Sequence, residues 1–137
     1  MKITIETLVN KQLDIVWNAW ITPECITKWN FASDDWCCPR AEVDLVQGGR
    51  FNYRMEAKDA SMAFDFEGTF TKVIDKGYIQ YELDDNRLVD IEFIATPAGV
   101  KVIESFEAED ENSAQQQRQG WLCILENFKT YVEGLTP

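Results

Sequence analysis

Adjacent cysteines and adjacent aspartates lie within one 13-residue stretch, KWNFASDDWCCPR, which runs from Lys28 to Arg40. A structural zinc site usually needs spaced pairs such as C-x2-C, together with further Cys or His ligands. Cys37 and Cys38 are adjacent and the sequence has no histidine, so we expect neither a metal nor another cofactor. A vicinal or regulatory disulfide is one alternative. Free thiols are the simplest interpretation in a reducing compartment, here also for Cys25 and Cys123.

Carboxylates offer a second kind of chemistry, general acid–base catalysis. Asp34 and Asp35 could do such work if one of them were desolvated, although neighbouring aspartates in a loop usually cap a helix or face solvent. Glu104 is less expected, because it falls on an apolar row with Val102 and Phe106, where an unpaired carboxylate is costly. It could contact a ligand there or act as a base with a raised pKa. A bulge that turns it outward, or a bond to an aromatic or backbone donor, would also explain it.

The elements that position these residues follow from the hydrophobic pattern. Residues 2–9 alternate like a strand, and two helices follow, with Asn10 and Thr22 as N-caps and the second helix ending near Trp29. Asn112 or Ser113 caps the longest helical segment, 112–133. Between these helical regions the pattern predicts six strands: 42–46, 50–57, 62–70, 79–83, 89–95 and 100–106.

One hairpin has a predictable register. If Ala57 pairs with Met62, then Tyr53 faces Phe66, Met55 faces Phe64, and Arg54 lies opposite Asp65 on the outer face. Met62, Phe64 and Phe66 are therefore expected on the inner face of the sheet.

A sheet with one apolar face must bury that face, and the C-terminal helix is the only element large enough to cover it. We therefore predict one α+β domain over residues 1–137. A curved antiparallel sheet of six to seven strands wraps around the long C-terminal helix, and two short helices follow the first strand. Gly120, inside the last helix, would allow close approach of the sheet or leave room for a ligand.

The charge balance excludes some partners. The chain has 24 acidic and 13 basic residues, a net charge of -11, whereas nucleic acids and anionic membranes reward Lys and Arg. No segment approaches the ~20 apolar residues of a membrane span, and the N-terminus does not resemble a signal peptide. We expect a cytoplasmic protein, either a monomer or a homodimer, without membrane insertion.

The order of elements resembles the helix-grip, or START-like (SRPBCC), superfamily. The local sequence resembles the branch named for activators of the heat-shock-protein-90 ATPase. The likeness rests on four segments: VWNAWITPECITKW (16–29), GGRFNYRMEAKD (48–59), FEGTFTKVI (66–74) and QGWLCILENFKTYVE (119–133). In one bacterial subgroup a histidine usually follows the Trp of KWNFASDDW. Cys37 stands at that position here, so no function that needs this imidazole is expected.

The resemblance implies a deep, mostly apolar cavity between the sheet and the long helix. We predict that it binds a small hydrophobic or amphipathic molecule, with Trp29, Phe31 and Trp36 as an aromatic flap at its entrance. Two alternatives stay open: a cyclase or hydrolase that uses Glu104 with Asp34 or Asp35, and a chaperone partner. The predicted ligand-binding residues are Trp17, Trp29, Phe31, Trp36, Phe64, Phe66, Tyr81, Phe93, Glu104, Trp121, Leu125 and Phe128.

Overall fold

The computed structural model describes residues 1–135, and within them seven strands form one antiparallel sheet. The elements, in chain order, are β1 (Lys2–Val9), α1 (Leu13–Ile21), α2 (Pro23–Trp29), β2 (Trp36–Val43), β3 (Arg50–Ala57), β4 (Ala63–Ile74), β5 (Tyr78–Leu83), β6 (Leu88–Thr96), β7 (Gly99–Glu107) and α3 (Ala114–Glu133). The sheet order β1-β7-β6-β5-β4-β3-β2 is a meander whose first strand returns to lie beside the last. This arrangement confirms the predicted α+β helix-grip.

Strand β1 shows how alternation fixes the inner face. Its side chains alternate between exposed and buried, and Ile3, Ile5 and Val9 belong to the core. The strand pairs with β7 over its whole length, from Lys2 opposite Glu107 to Val9 opposite Val100. Because side chains alternate across a strand, this register places the β1 and β7 core residues on one concave face.

The β3–β4 register is as predicted, with Tyr53 opposite Phe66 and Met55 opposite Phe64. Ala57 bonds to Met62 as expected, with its backbone nitrogen 2.9 Å from the Met62 carbonyl oxygen, and Phe64 lies on the inner face, where it lines the cavity. The inner row is nevertheless not buried throughout, since Phe64 is 47% exposed and Met62 is 62% exposed. Burial decreases along β4 from Phe70 towards the hairpin, because the hairpin end extends past the core.

Strand β2 differs from the prediction. It begins at Trp36 and ends at Val43, whereas the sequence pattern placed a strand at 42–46. The β2–β3 pairing shifts register between Cys37 and Arg40, and Pro39 lies within this shift. Since the bulge breaks the alternation of inward and outward side chains, the first half of β2 looked like a loop.

The predicted N-cap of the first helix is also wrong. Gln12 occupies that position and makes no side-chain cap bond. The backbone N–H of Asn10 instead donates to the Glu133 carboxylate, at 2.8 Å, which ties the end of β1 to the end of α3.

Helix α3 crosses the concave face of the curled sheet. Its N-terminus has a capping box between Ser113 and Gln116, which satisfies helix N–H groups that lack an internal partner. Leu125, Phe128 and Val132 are fully buried on the side facing the core. None of the helices in residues 1–135 is long and apolar enough to cross a membrane.

Candidate functional site

A cavity of about 200 Å³ lies between the concave sheet and the three helices. Every layer of the fold contributes to its wall, and seven of the eleven lining side chains are aromatic. The lining residues are Trp20, Trp29, Asn30, Tyr53, Met55, Phe64, Phe66, Tyr81, Glu104, Trp121 and Ile124.

Aromatic contacts hold the helical side of this wall. Trp20 of α1 and Trp29 of α2 lie with ring centroids 4.9 Å apart, and the Trp29 Nε1–H donates to the Ala19 carbonyl at 3.0 Å. On α3, Asn127 donates from Nδ2 to the Trp29 carbonyl, also at 3.0 Å. These bonds join all three helices and leave the indole faces as apolar surface.

The sheet side of the wall depends on Trp121 of α3. Its ring stacks on Phe106 of β7 with centroids 4.0 Å apart and meets Phe66 edge-on at 6.0 Å. Trp121 thus fixes the separation between α3 and the sheet on this side of the cavity.

Glu104 is the single acidic group in the cavity lining and is only 5% exposed. It lies on β7 with Ile5 and Ile91 opposite it on the two neighbouring strands. Burial raises the pKa of Glu104 to about 8, and the negative charge of Asp90 adds to the effect. The side chain is therefore mostly a neutral acid at pH 7, as the sequence hypothesis of a raised pKa required.

Two tyrosine hydroxyls share the cavity with Glu104. Burial raises the pKa of Tyr53 and of Tyr81 well above the ordinary value, and the nearby Glu104 contributes to both shifts. Both side chains therefore keep their proton at physiological pH. Within residues 1–135, burial and nearby charges shift the pKa values of Glu104 and these tyrosines, and hydrogen bonds to other side chains do not contribute.

Asn30 is the fourth polar residue of the lining. Its Nδ2 donates to two sulfur atoms, Cys38 Sγ at 3.9 Å and Met55 Sδ at 3.7 Å. Burial raises the pKa of Cys38, so it remains a thiol. Cys37, its half-buried neighbour, is also a free thiol, as are Cys25 and Cys123.

Six of the predicted ligand-binding residues line the cavity and six do not. Those in the lining are Trp29, Phe64, Phe66, Tyr81, Glu104 and Trp121. Four of the others, Trp17, Phe93, Leu125 and Phe128, are buried in the core. The last two, Phe31 and Trp36, are half-buried beside the core, outside the lining.

The predicted aromatic flap is divided between two places. Trp29 is 3% exposed and hydrogen-bonded, so it is part of the fixed wall. At the mouth lies Phe64, which both lines the cavity and is half exposed, with Trp36 packed edge-on against it at 5.8 Å. The mouth is therefore formed by the β3–β4 hairpin and the start of β2, without Trp29.

Five lining residues were missing from the predicted set: Trp20, Asn30, Tyr53, Met55 and Ile124. Tyr53 and Met55 were already placed on the inner row of β3, so their register carried the signal. Asn30 ends α2 in a stretch read as loop, and no pattern singles it out.

The structure does not bring the predicted carboxylates together. Asp34 and Asp35 are exposed and lie outside the cavity lining. The pairing with Glu104 that a cyclase or hydrolase would need is therefore not present in this geometry. No group of three or more His, Cys, Asp or Glu side chains within residues 1–135 is arranged to hold a metal ion.

Comparison with known families gives a match over residues 11–133. The matching family is described as "Activator of Hsp90 ATPase homolog 1-like protein". A comparison with curated proteins gave no match.

Several solved structures are similar to this chain over nearly its whole length. An AHSA1-like protein from Aeromonas hydrophila is 48% identical, with a TM-score of 0.92 over 97% of this chain and 92% of its own. A protein from Cytophaga hutchinsonii is 42% identical, with a TM-score of 0.85 over 96% and 92% of the two chains. A protein from Chromobacterium violaceum, at 19% identity and a TM-score of 0.87 over 98% and 99%, shares the fold.

Proposed function

The chain belongs to the Activator of Hsp90 ATPase homolog 1-like family, and we propose that it binds a small, largely apolar molecule in the cavity between the sheet and α3. One observation carries this proposal. The carboxyl group of Glu104 and the hydroxyl groups of Tyr53 and Tyr81 belong to buried side chains that line an apolar cavity. Their pKa shifts arise from burial and nearby charges and not from hydrogen bonds to other side chains. Buried polar groups are normally satisfied, and a bound molecule would satisfy these.

The make-up of the wall supports a binding role. Ligand pockets are predominantly apolar and aromatic, with a few convergent polar groups that fix orientation. The aromatic lining with Glu104, Tyr53, Tyr81 and Asn30 follows that composition.

The size of the cavity limits the ligand. Its volume of about 200 Å³ is below the roughly 300–1,000 Å³ of typical drug-sized pockets. The ligand we propose is therefore of the size of one substituted ring or a short branched chain, and not a full-length lipid.

Filling the cavity tests this proposal. Ile124 lines the cavity, and Leu122 is a half-buried aliphatic residue on the same helix that does not. We expect Ile124→Phe to weaken binding of neutral single-ring compounds such as 2-phenylethanol by at least about tenfold, because the new ring occupies their space. Leu122→Phe, the matched control, should bind as the natural chain does.

Isothermal titration calorimetry would measure the affinities, and two-dimensional NMR would show which residues the compounds contact. Shifts confined to residues around the cavity, lost in Ile124→Phe and retained in Leu122→Phe, are the expected result. If single-ring compounds leave the cavity residues unshifted in the natural chain, or if both variants bind alike, the proposal is wrong. The chaperone contact that the sequence resemblance implied stays a prediction.

A further inference from the structure

We propose that the natural ligand of this cavity is a protonated amine with a small apolar body, bound with its ammonium group beside Glu104. The inference rests on the proposed function, since it concerns the same cavity and names the chemistry of its occupant. It follows from the charge, the aromatic faces and the hydrogen-bonding capacity of the lining.

The charged groups of the lining exclude an anionic ligand. The lining contains one carboxyl group, on Glu104, and no Lys, Arg or His. A carboxylate or phosphate ligand would be buried without a counter-charge and next to a group of the same sign, which is strongly unfavourable. A cation would instead form a neutral pair with the Glu104 carboxylate, and the net charge of -11 attracts cations to the protein.

The aromatic wall favours a cation more than a neutral molecule. Ammonium groups are attracted to the faces of aromatic rings, most strongly to Trp and more so when the site excludes water. Trp20, Trp29 and Trp121 all line the cavity. One face of Trp121 is covered by Phe106, and Trp20 and Trp29 pack against each other. The part of each indole that lines the cavity has no Lys or Arg beside it in the lining, so a ligand cation would have no competitor there.

The polar groups of the lining include several acceptors for the N–H groups of an amine. Both Glu104 oxygens, once the carboxyl is ionised, accept only, and the tyrosine oxygens can also accept. The Nδ2 of Asn30 is directed at Cys38 and Met55, which leaves its Oδ1 as the available atom.

Binding of an amine should displace a proton from Glu104. The titratable groups around it are Tyr53 from β3, Tyr81 from β5 and Asp90 from β6, while the residues that α1, α2 and α3 contribute to the lining carry no charge. Glu104 is mostly protonated at pH 7 without ligand, and an adjacent ammonium group favours its ionised form. Association with an amine should therefore release close to one proton at pH 7, and association with a neutral molecule should release none.

Three probes with the same carbon skeleton separate the possibilities: 2-phenylethylamine, which is protonated at pH 7, the neutral 2-phenylethanol and the anion phenylacetate. We expect the amine to bind at least about tenfold more tightly than the alcohol, and the anion more weakly than either. Calorimetry in two buffers of different ionisation enthalpy measures the proton released, and it needs no variant.

Glu104→Gln distinguishes a site for a cation from a site for a neutral compound such as the alcohol. The glutamine amide still donates a hydrogen bond but cannot ionise, so the preference for the amine should disappear while affinity for the alcohol changes by less than about threefold. Asp34→Asn is the control and should keep the preference, because Asp34 is exposed and lies outside the lining.

The outcomes separate the two proposals. If the alcohol binds as tightly as the amine, if no proton is released, or if Glu104→Gln keeps the preference, the amine inference is wrong and the proposed function stands. If none of the three probes binds the natural chain, both are wrong.

Discussion

The buried carboxyl group of Glu104 affects both the stability of the protein and the binding that we propose. Its pKa in the folded protein, about 8, is above the ordinary value of 4.5, so the folded state holds this proton more tightly than the unfolded state does. The contribution of this bound proton to the free energy of unfolding is therefore complete below about pH 4.5, and it is lost as the pH rises towards 8. The cavity keeps a group that destabilises the protein in alkaline solution, which is consistent with a role in binding.

Replacing this group should change how stability depends on pH. Between about pH 5 and 8, the free energy of unfolding of the natural chain should fall relative to Glu104→Gln by up to about 1.4 kcal/mol per pH unit. Urea unfolding at a series of pH values, with the two chains compared at each pH, measures this difference.

The exposed Asp34 provides the control, since Asp34→Asn should leave the slope of the natural chain unchanged in that range. Parallel profiles for Glu104→Gln and the natural chain would show that Glu104 titrates normally and would contradict its burial in an apolar cavity.

Sequence alone located Glu104 because strand alternation placed a charged residue on an apolar row. It could not say whether a bulge turned the side chain outward, and this depends on the pairing of β7 with both β1 and β6. The sequence also could not identify Trp20 and Ile124 as lining residues, because helical spacing shows which side faces the core and not where the core is incomplete.

At the scale of elements, α3 was predictable because its capping box and its apolar spacing are local. Strand β2 was not, because the bulge around Pro39 hides its alternation and only pairing with β3 defines it. The close approach proposed for Gly120 was wrong, since a Cβ there would meet nothing within 4 Å, and Gly120 is not among the lining residues.

This geometry predicts that Gly120→Ala stabilises the protein. Glycine inside a helix costs about 1 kcal/mol relative to alanine, and the added methyl group has space, so the free energy of unfolding should rise by about 0.5–1 kcal/mol. Thermal and urea unfolding would both show the change.

Gly68 gives the opposite expectation at a strand position. A Cβ there would lie 2.3 Å from the Glu82 carbonyl oxygen and 3.1 Å from the Phe51 ring, so Gly68→Ala should destabilise the protein.

A Gly120→Ala chain that is less stable than the natural one would mean that α3 packs more closely than described.

On the scale of the whole molecule, the dominant property is the net charge of -11. Its nine ion pairs within residues 1–135 join groups that are mostly exposed, such as Arg50 with Asp84 at 2.8 Å, and exposed pairs contribute little. Repulsion among the excess acidic groups should therefore exceed the stabilisation that these ion pairs provide.

We expect added salt to stabilise the fold. Raising NaCl from low concentration to about 0.15 M shortens the screening length to about 8 Å, and the melting temperature should rise by about 1–2 °C, equivalent to a few tenths of a kcal/mol. Differential scanning calorimetry with NaCl and KCl at equal ionic strength separates screening from effects of a particular ion. A melting temperature that falls with both salts would mean that the ion pairs outweigh the repulsion.

The pairing of β1 with β7 also determines when the chain can fold during synthesis. Thr4 and Ser105 bond across this pair at 2.9 Å although 101 residues separate them. Ribosomes add about 5–20 residues per second, so β1 leaves the ribosome several seconds before its partner strand exists. During that interval Ile3, Ile5 and Val9 have no sheet to cover them. The N-terminal strand therefore exposes apolar side chains to other chains in the cell until β7 has been made.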